Sequence, residues 1–595
     1  MCGIVGYIGF EKASDILLEG LSKLEYRGYD SSGIAVFDKE IKVIKAVGKL
    51  ENLYKKIHTS DEICANIGIG HTRWATHGKP TLANAHPHSG NNFTLVHNGI
   101  IENAEFLKNK YLKDEAFESQ TDTEVIVKLA EKFYSSKKDI KKVICQLIGE
   151  LEGSYALAII NKHTPDTIYA VKNKSPLIIG KGNGFNMLAS DPIAMLSKTN
   201  EFYDIDDKEF AVIANDSVKI YSDDTNEIKK EPYKLDFDSY DSEKGSYSHY
   251  MIKEIDEQPS IIRRILEKYS NASGMLEINT ELSDSIQEAD KIYVIACGTS
   301  YHAGLIGKYF FEKLSQKPCE VLIASEFIYN TPLLSQRPFF IFISQSGETA
   351  DSIRCLTKVK EMNFKTLSIT NVKTSTMARE ADYSLLLFAG PEIAVASTKA
   401  YIAQITLLLI LAGKINNSIG IDIKNELYKT AQEVEKICSR KELFKEICEK
   451  YLKDAKSCFY IGRGIDYLVS LEAALKLKEI SYIHTEGFAA GELKHGTIAL
   501  IENNTPVISI NTQKELNSHI RSNINEVKAR GAKVITITNN SLKTPDDQII
   551  LPDTHPLLTP FLSIVPAQFI AYYSALQNGC DIDKPRNLAI SVTVE

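Results

Sequence analysis

The strongest constraint on the fold is a repeated plan in the second half of the chain. KIYVIACGTSYHAGL (291–305) reads as an apolar strand, a glycine turn and a helix. FFIFISQSGETADSI (339–353) follows the same plan, and KTLSIT (365–370) is a further strand. The order recurs in SCFYIGRGIDYLVSLEAALKLKEI (457–480), TPVISINTQKELNSHI (505–520) and KVITIT (533–538). Apolar runs alternating with helical patterns indicate parallel strands joined by crossover helices. Two copies predict a duplicated, doubly wound α/β domain. Ligands in such folds sit beyond the carboxyl ends of the strands, near helix N-termini.

The first half has another rhythm. Residues 2–9 and 33–37 read as strands, and Ile16, Leu17, Leu21 and Leu24 between them follow helical spacing. Strand signals recur at 41–47, 65–70, 93–97, 155–160, 167–171, 177–180 and 209–214. Thr121 and Glu124 have capping-box spacing ahead of Val125, Ile126 and Leu129, which predicts a helix start. The polar stretch DFDSYDSEKGSYSH (236–249) reads as a linker. The expected organisation is a mixed α and β domain over 2–235, a linker with a lead-in helix over 236–280, α/β domains over 281–425 and 450–582, and a tail over 583–595.

Composition removes several classes of function. Of 595 residues, 44% are hydrophobic and 25% charged, as in ordinary globular chains. The net charge of -8, without a long basic run, argues against nucleic acid or an anionic membrane as partner. The ten cysteines are scattered without a C-x-x-C, so neither a disulfide framework nor a zinc site is expected, and a reducing cytoplasm is. The start lacks a signal-peptide pattern. No continuous apolar run reaches membrane-spanning length, and 403–413 is too short.

Cys2 is the first candidate for chemistry. Removal of Met1 would leave Cys2 with a thiol and a free α-amine on one residue. An amine with a pKa of about 7.7–8.0 can serve as base to its own thiol. Amide hydrolysis also needs an oxyanion hole and a substrate grip. Asn98 and the Gly99 N–H in HNGII (97–101) are candidate oxyanion donors. Arg73 in GHTRWATHG (70–78) is a candidate carboxylate fork, or an ordinary surface cation. Asp122 is a candidate for a substrate ammonium, or an acid common in a helix's first turn. His71, His77, His86, His88 and His97 have no metal-ligand spacing, and no metal or cofactor is called for.

CGIVGYIG, LEYRGYDSSGIA, GHTRWATHG, AHPH, HNGIIEN and TDTEV stand in an order that resembles the class II glutamine amidotransferases, N-terminal-nucleophile enzymes with an α/β/β/α layered fold. The resemblance covers most of 2–235. It implies that Cys2 is nucleophile and base, that Asn98 and Gly99 form the oxyanion hole, and that Arg73, Thr76, His77 and Asp122 hold glutamine. It assigns Trp74, Arg27 and His86 to mobile loops around the site.

In the second half, SQSGET (344–349) sets hydroxyls between a strand and a helix, where a helix N-terminus favours a phosphate. CGTS (297–300) and ASTK (396–399) add hydroxyls at similar turns. Glu472, Lys476 and Glu479 are spaced one turn apart, which alone reads as a solvated salt-bridge face. SHYMIKEIDEQP (248–259), VIACGTSYHAG, SQSGETADS, GRG, EAALKLKEISYIH, GELKHG and KPRNLA (584–589) together resemble the paired sugar isomerase (SIS) domains of the glutamine–fructose-6-phosphate aminotransferase family. That resemblance implies that Thr299, Ser300, Ser344, Gln345, Ser346, Thr349 and Ser397 bind a sugar phosphate, with backbone contacts from Val395 and Ala589. It gives His495 ring opening, Glu479 proton transfer between carbons 1 and 2, and Lys476 an assisting role. It also implies a cytoplasmic homodimer that makes glucosamine 6-phosphate and glutamate from glutamine and fructose 6-phosphate.

One position departs from the family. Its tail carries a lysine six residues from the end that forms a Schiff base with the open-chain ketose; here Ile590 stands there. Isoleucine cannot form an imine, and Lys584 is the nearest lysine upstream. The rival readings are therefore a glutaminase that synthesises poorly and a non-catalytic sugar-phosphate sensor. A phosphoribosyl-type amidotransferase is opposed by SQSGET and GELKHG.

Overall fold

The computed structural model describes residues 2–25, 28–59, 64–74, 78–234, 244–415 and 420–592. The chain divides into two compact units, 1–243 with 591–595, and 244–590.

In the first unit, two antiparallel sheets of eight and seven strands lie face to face among the described residues. Gly3–Ile8 is central in the first sheet, between Asn186–Ala189 and Ile67–Arg73. Its alternation sorts the faces. Ile4 and Ile8 enter a core with Ile67, Ile69, Val96, Ala156 and Ala158, while Val5 lies against Gly20 of the helix Ala13–Leu24. In the second sheet, Phe93–Ile101 pairs with Gly153–Asn161, and the helices Asp122–Lys137 and Ile140–Glu150 cover its far face through a second core. The layers are therefore α/β/β/α, as expected.

The helix start at Thr121 is observed, but the capping box is not. Thr121 makes no side-chain cap; its hydroxyl faces Ser119 and His88 instead. The Glu124 carboxylate accepts from the Glu118 and Ser119 N–H groups. Tertiary partners outcompete the local motif. The linker expectation falls largely on 235–243, outside the described residues.

In the second unit, the helices Tyr250–Lys268 and Thr280–Glu288 lead into two five-stranded parallel sheets. The first has the spatial order Cys319–Ile323, Lys291–Ala296, Pro338–Ser344, Lys365–Thr370, Tyr383–Leu386. The second repeats it with His484–Ala489, Ser457–Gly462, Pro506–Asn511, Lys533–Asn539 and Ile549–Leu551. Both run 2-1-3-4-5 by chain order, so each has its switch point between its first and third strands. In the first sheet those strands end at Ala296 and Ser344, which brings CGTS and SQSGET side by side.

Two helices of this unit are buried along nearly their whole length, Lys399–Ile415 and Thr559–Gln577. The helical segment Pro556–Gln577 is long and apolar enough to cross a membrane, with mean hydropathy 1.2, yet its 18-residue apolar stretch is wholly buried in the protein. The sequence reading missed this segment because Thr559, Ser563, Gln568 and Ser574 interrupt its apolar run. Those polar groups are bonded inside: the Ser563 hydroxyl donates to the Thr559 carbonyl, and Gln258 donates to the Gln568 amide oxygen. Phe569 is fully buried and stacks on Phe444 at 5.1 Å. Phe569→Ala is expected to destabilise this unit by about 3–5 kcal/mol, measured as a lower denaturation midpoint of its far-UV signal.

Candidate active sites

Cys2 stands at the end of the central strand, half-buried. The Trp74 N–H donates to its Sγ at 3.3 Å. The neighbouring strand carries Arg73, only 4% exposed, whose guanidinium donates to the Gly78 and Lys79 carbonyls. Burial draws its pKa below the ordinary arginine value, and Cys2, Asp30 and Asp122 pull the other way. Arg73 is therefore not a surface cation.

Asn98 and Gly99 lie near the end of Phe93–Ile101. The Asn98 amide nitrogen donates to the Cys2 carbonyl at 2.9 Å, which places this carboxamide beside residue 2. Gly99 has φ +122, and a Cβ there would sit 2.0 Å from the Ser154 carbonyl oxygen. Only glycine fits, because the backbone is left-handed and the next strand is in contact. Asp122 accepts from the Ile101 N–H at 2.8 Å and lies 3.9 Å from His97 Nδ1. Thr76, His77 and Arg27 lie outside the described residues.

Four histidines form a buried group behind this site. His71 stacks on His86 at 4.0 Å, and His86 meets His88 edge-on at 5.0 Å. His97 Nδ1 and His86 Nε2 both reach the Thr123 hydroxyl, and the His97 N–H donates to His86 Nδ1. His86 is thus packed in the interior. Burial pushes His71 and His88 down to about 3 and His86 well below its ordinary value, so these three rings are neutral near pH 7.

In the second unit, the switch point of the first sheet carries the expected hydroxyls. The Gly347 N–H donates to Ser344 Oγ, and Ser344 and Thr349 hydroxyls are 2.9 Å apart. Gly347 has φ +66, and a Cβ would lie 2.1 Å from Ser375 Oγ, so the turn requires glycine. Thr349 is the N-cap of the helix Ala350–Glu361. Thr299 and Ser300 occupy the first turn of Gly298–Phe310. Gln404 donates to the Ser300 hydroxyl, and Ser397 donates to Glu392. The Val395 N–H donates to the Asp583 carbonyl at 3.0 Å.

Beside these hydroxyls lies an ion cluster from the helix Ile465–Ser481. Lys476 Nζ donates to Thr299 Oγ1 at 3.0 Å, lies 3.4 Å from Glu472, and pairs with Glu479. Thr299 in turn donates to Glu472, and His302 Nδ1 lies 2.7 Å from the other Glu472 oxygen. Burial lowers the Lys476 pKa, but the flanking carboxylates outweigh it and raise the pKa overall. Burial raises the Glu479 carboxyl, and Lys476 offsets only part of that. A raised carboxyl held next to a fixed ammonium is suited to moving protons. The sequence reading treats Glu472 as a salt-bridge residue and omits His302, although both belong to this cluster. His495 lies exposed on the turn Ala490–His495, and no hydrogen bond or ion pair joins it to Lys476 or Glu479.

Known proteins resemble the chain in both units. The glutamine amidotransferase domain family matches residues 73–197, and the SIS domain family matches 285–413 and 451–577. Glutamine–fructose-6-phosphate aminotransferase (isomerizing) of Listeria monocytogenes is 52% identical over 604 residues, and that of Geobacillus kaustophilus 53% over 602, each with full coverage of both chains. Among solved structures, the C-terminal domain of glucosamine-fructose-6-phosphate aminotransferase from Francisella tularensis matches with 36% identity and a TM-score of 0.53, covering 58% of this chain and 99% of that one.

The neutral histidines predict acid sensitivity of the first unit. Their folded pKa values lie below the unfolded value of about 6.5, so the unfolded chain binds more protons between roughly pH 6.5 and 3. The stabilisation is fully present above pH 6.5 and is lost as pH falls toward 3. Each such ring contributes up to about 1.4 kcal/mol per pH unit in that window. Urea unfolding followed by fluorescence of Trp74, the single tryptophan, should show a midpoint that drops from pH 7 to pH 4.5. Substituting His88 with Gln should flatten the slope.

Proposed function

The chain belongs to the family of glutamine–fructose-6-phosphate aminotransferases (isomerizing), and from that membership we propose that it takes ammonia from glutamine and delivers it to fructose 6-phosphate, giving glutamate and glucosamine 6-phosphate. In this reading Cys2 Sγ attacks the glutamine amide carbon after its proton passes to the residue's own α-amine. Asn98 and the Gly99 N–H stabilise the oxyanion. Arg73, Thr76, His77 and Asp122 hold the amino acid. In the second unit the hydroxyls at 299–300, 344–349 and 397 hold the sugar phosphate, His495 opens the ring and Glu479 shifts the proton between carbons 1 and 2. The observation that carries the sugar half is the buried Glu472–Lys476–Glu479 set against Thr299 at a hydroxyl-lined switch point. A cytoplasmic homodimer belongs to the same reading, and the ten cysteines, all outside disulfides, agree with a reducing compartment.

If Cys2 is the nucleophile, Cys2→Ala abolishes glutamate release while fructose 6-phosphate still binds, because the sugar residues lie in the other unit. Residual hydrolysis within tenfold of the unmodified protein, read by a glutamate assay, would refute the assignment.

Ile590 makes the sugar half the weaker one. Without an amine at that position no imine links the ketose to the tail, and ammonia must attack an unactivated carbonyl. The tail is otherwise docked. Asp583 accepts from the Tyr250 and Met251 N–H groups, the Arg586 N–H donates to the Tyr482 hydroxyl, and the Arg586 guanidinium lies 4.1 Å over the Tyr482 ring. These contacts support a chemical defect over a structural one. The expected outcome is normal glutamine hydrolysis with poor synthesis, and recovery of synthesis in Ile590→Lys. Borohydride with fructose 6-phosphate should label that variant at position 590. Full synthase turnover with Ile590 in place would show that another group does this work.

A further inference from the structure

We propose that His71 is a positioning residue for glutamine hydrolysis, a neutral N–H donor that locks the Asn98 carboxamide with its nitrogen turned toward Cys2. The inference rests on the reading of Asn98 as an oxyanion donor.

The argument is one of donors and acceptors. His71 lies on Ile67–Arg73 of the first sheet and reaches Asn98 on Phe93–Ile101 of the second. Its Nε2 lies 3.0 Å from the His97 carbonyl oxygen and 3.1 Å from Asn98 Oδ1. A carbonyl oxygen only accepts, so Nε2 must carry the proton. The amide atom facing that N–H must then be the acceptor, which is Oδ1. At the other end, the amide nitrogen donates to the Cys2 carbonyl, again an atom that only accepts. Each end thus fixes the orientation independently, and they agree. One amide hydrogen is used on Cys2; the second is left for a developing negative charge.

Turning the amide over would set Nδ2 against the His71 N–H and Oδ1 against the Cys2 carbonyl. Two hydrogen bonds would be lost, and the buried groups left unsatisfied would cost about 1–3 kcal/mol each. Without a donor at position 71 only the Cys2 end opposes the flip. A flipped amide offers an oxygen to the oxyanion and repels it.

The ring meets the other requirements of a fixed donor. His71 is fully buried, is stacked on His86, and its Nδ1 makes no hydrogen bond, as befits the bare acceptor nitrogen of an Nε2–H tautomer. Burial holds it neutral, so neither tautomer nor charge changes over the working pH range.

Steady-state glutaminase kinetics on the full chain test the proposal. Losing an oxyanion donor costs about 10²–10³-fold in kcat, and misorienting one should cost a part of that. His71→Leu is expected to lower kcat about 30-fold with KM for glutamine within about threefold. His71→Gln places a neutral amide N–H at similar reach and should recover most of the rate. His71→Asn, which is polar but too short, should behave like Leu. The double variant His71→Leu/Asn98→Ala should be no slower than Asn98→Ala alone, because the donor to be positioned is already gone. Trp74 fluorescence and the rate of Cys2 alkylation by iodoacetamide verify that each variant is folded with its nucleophile intact. If the Leu variant fails to fold, the contrast between Gln and Asn decides alone. Unchanged kcat in the Leu and Asn variants, equal loss in Gln and Asn, or full multiplicativity with Asn98→Ala would overturn the positioning role. Wild-type hydrolysis by Asn98→Ala itself would instead bring down the oxyanion assignment.

Discussion

The second unit depends on an ammonium buried between two carboxylates. Lys476 is 1% exposed and Glu472 fully buried, and taking such ions out of water costs several kcal/mol each. The arrangement persists because Glu472 and Lys476 are each met more than once. Glu472 takes the Thr299 hydroxyl, His302 and Lys476; Lys476 has both carboxylates and Thr299. Thr299 and His302 come from the helix Gly298–Phe310 of the first α/β domain, and the ions come from Ile465–Ser481 of the second. The cluster therefore ties the two repeats together at the place where their chemistry is expected. Removing one partner from a buried set of this kind typically costs about 3–5 kcal/mol, so its geometry is not free to drift.

The first unit solves a similar problem without ions. The space behind Asn98 must be polar enough to hold a carboxamide and the Thr123 hydroxyl, yet uncharged because it is closed to water. Neutral imidazoles serve both needs. Each offers one donor and one acceptor, His71 stacks on His86 while His88 meets it edge-on, and burial keeps His71, His86 and His88 uncharged. A lysine or carboxylate in their place would need a buried counter-charge.

Much of this was legible in the chain, and the exceptions have a common cause. The repeat could be read because buried parallel strands are apolar runs whose signal is local. The motifs around Cys2, Asn98 and Gly99 are contiguous, and the structure sets Asn98 beside Cys2. Glu472 could not be told from a solvated face, since a carboxylate one turn from a lysine looks the same on either side of a helix. Its burial is decided by Thr299 and His302, some 170 residues away. Thr121 and Glu124 fit a local capping rule, yet His88, Ser119 and Glu118 claim their side chains. The helix Thr559–Gln577 was masked by polar residues whose partners are likewise distant or internal to the helix. The burial of the His86 ring was equally illegible, because the neighbours that enclose it, His71, His97 and Thr123, come from other elements.

The same reasoning bears on why a duplicated fold presents one hydroxyl-lined switch point and not two. In the second sheet the corresponding strands, Ser457–Gly462 and Pro506–Asn511, end next to Asp466 and Thr512. There the Asp466 carboxylate accepts from the Thr512 N–H at 2.7 Å and from its hydroxyl. Burial raises that carboxyl to about 6 while the Thr512 and Gln513 contacts hold it down, so near neutrality it is mostly an anion. An internal carboxylate thus takes the donors that an incoming phosphate would use, and repels it as well. In the first sheet the matching position is Ser300, an uncharged hydroxyl held by Gln404. One backbone plan is written twice; in the second copy Asp466 stands for Ser300, and Asn511, Gln513 and Leu516 stand for Ser344, Ser346 and Thr349, so most of the hydroxyls are gone as well.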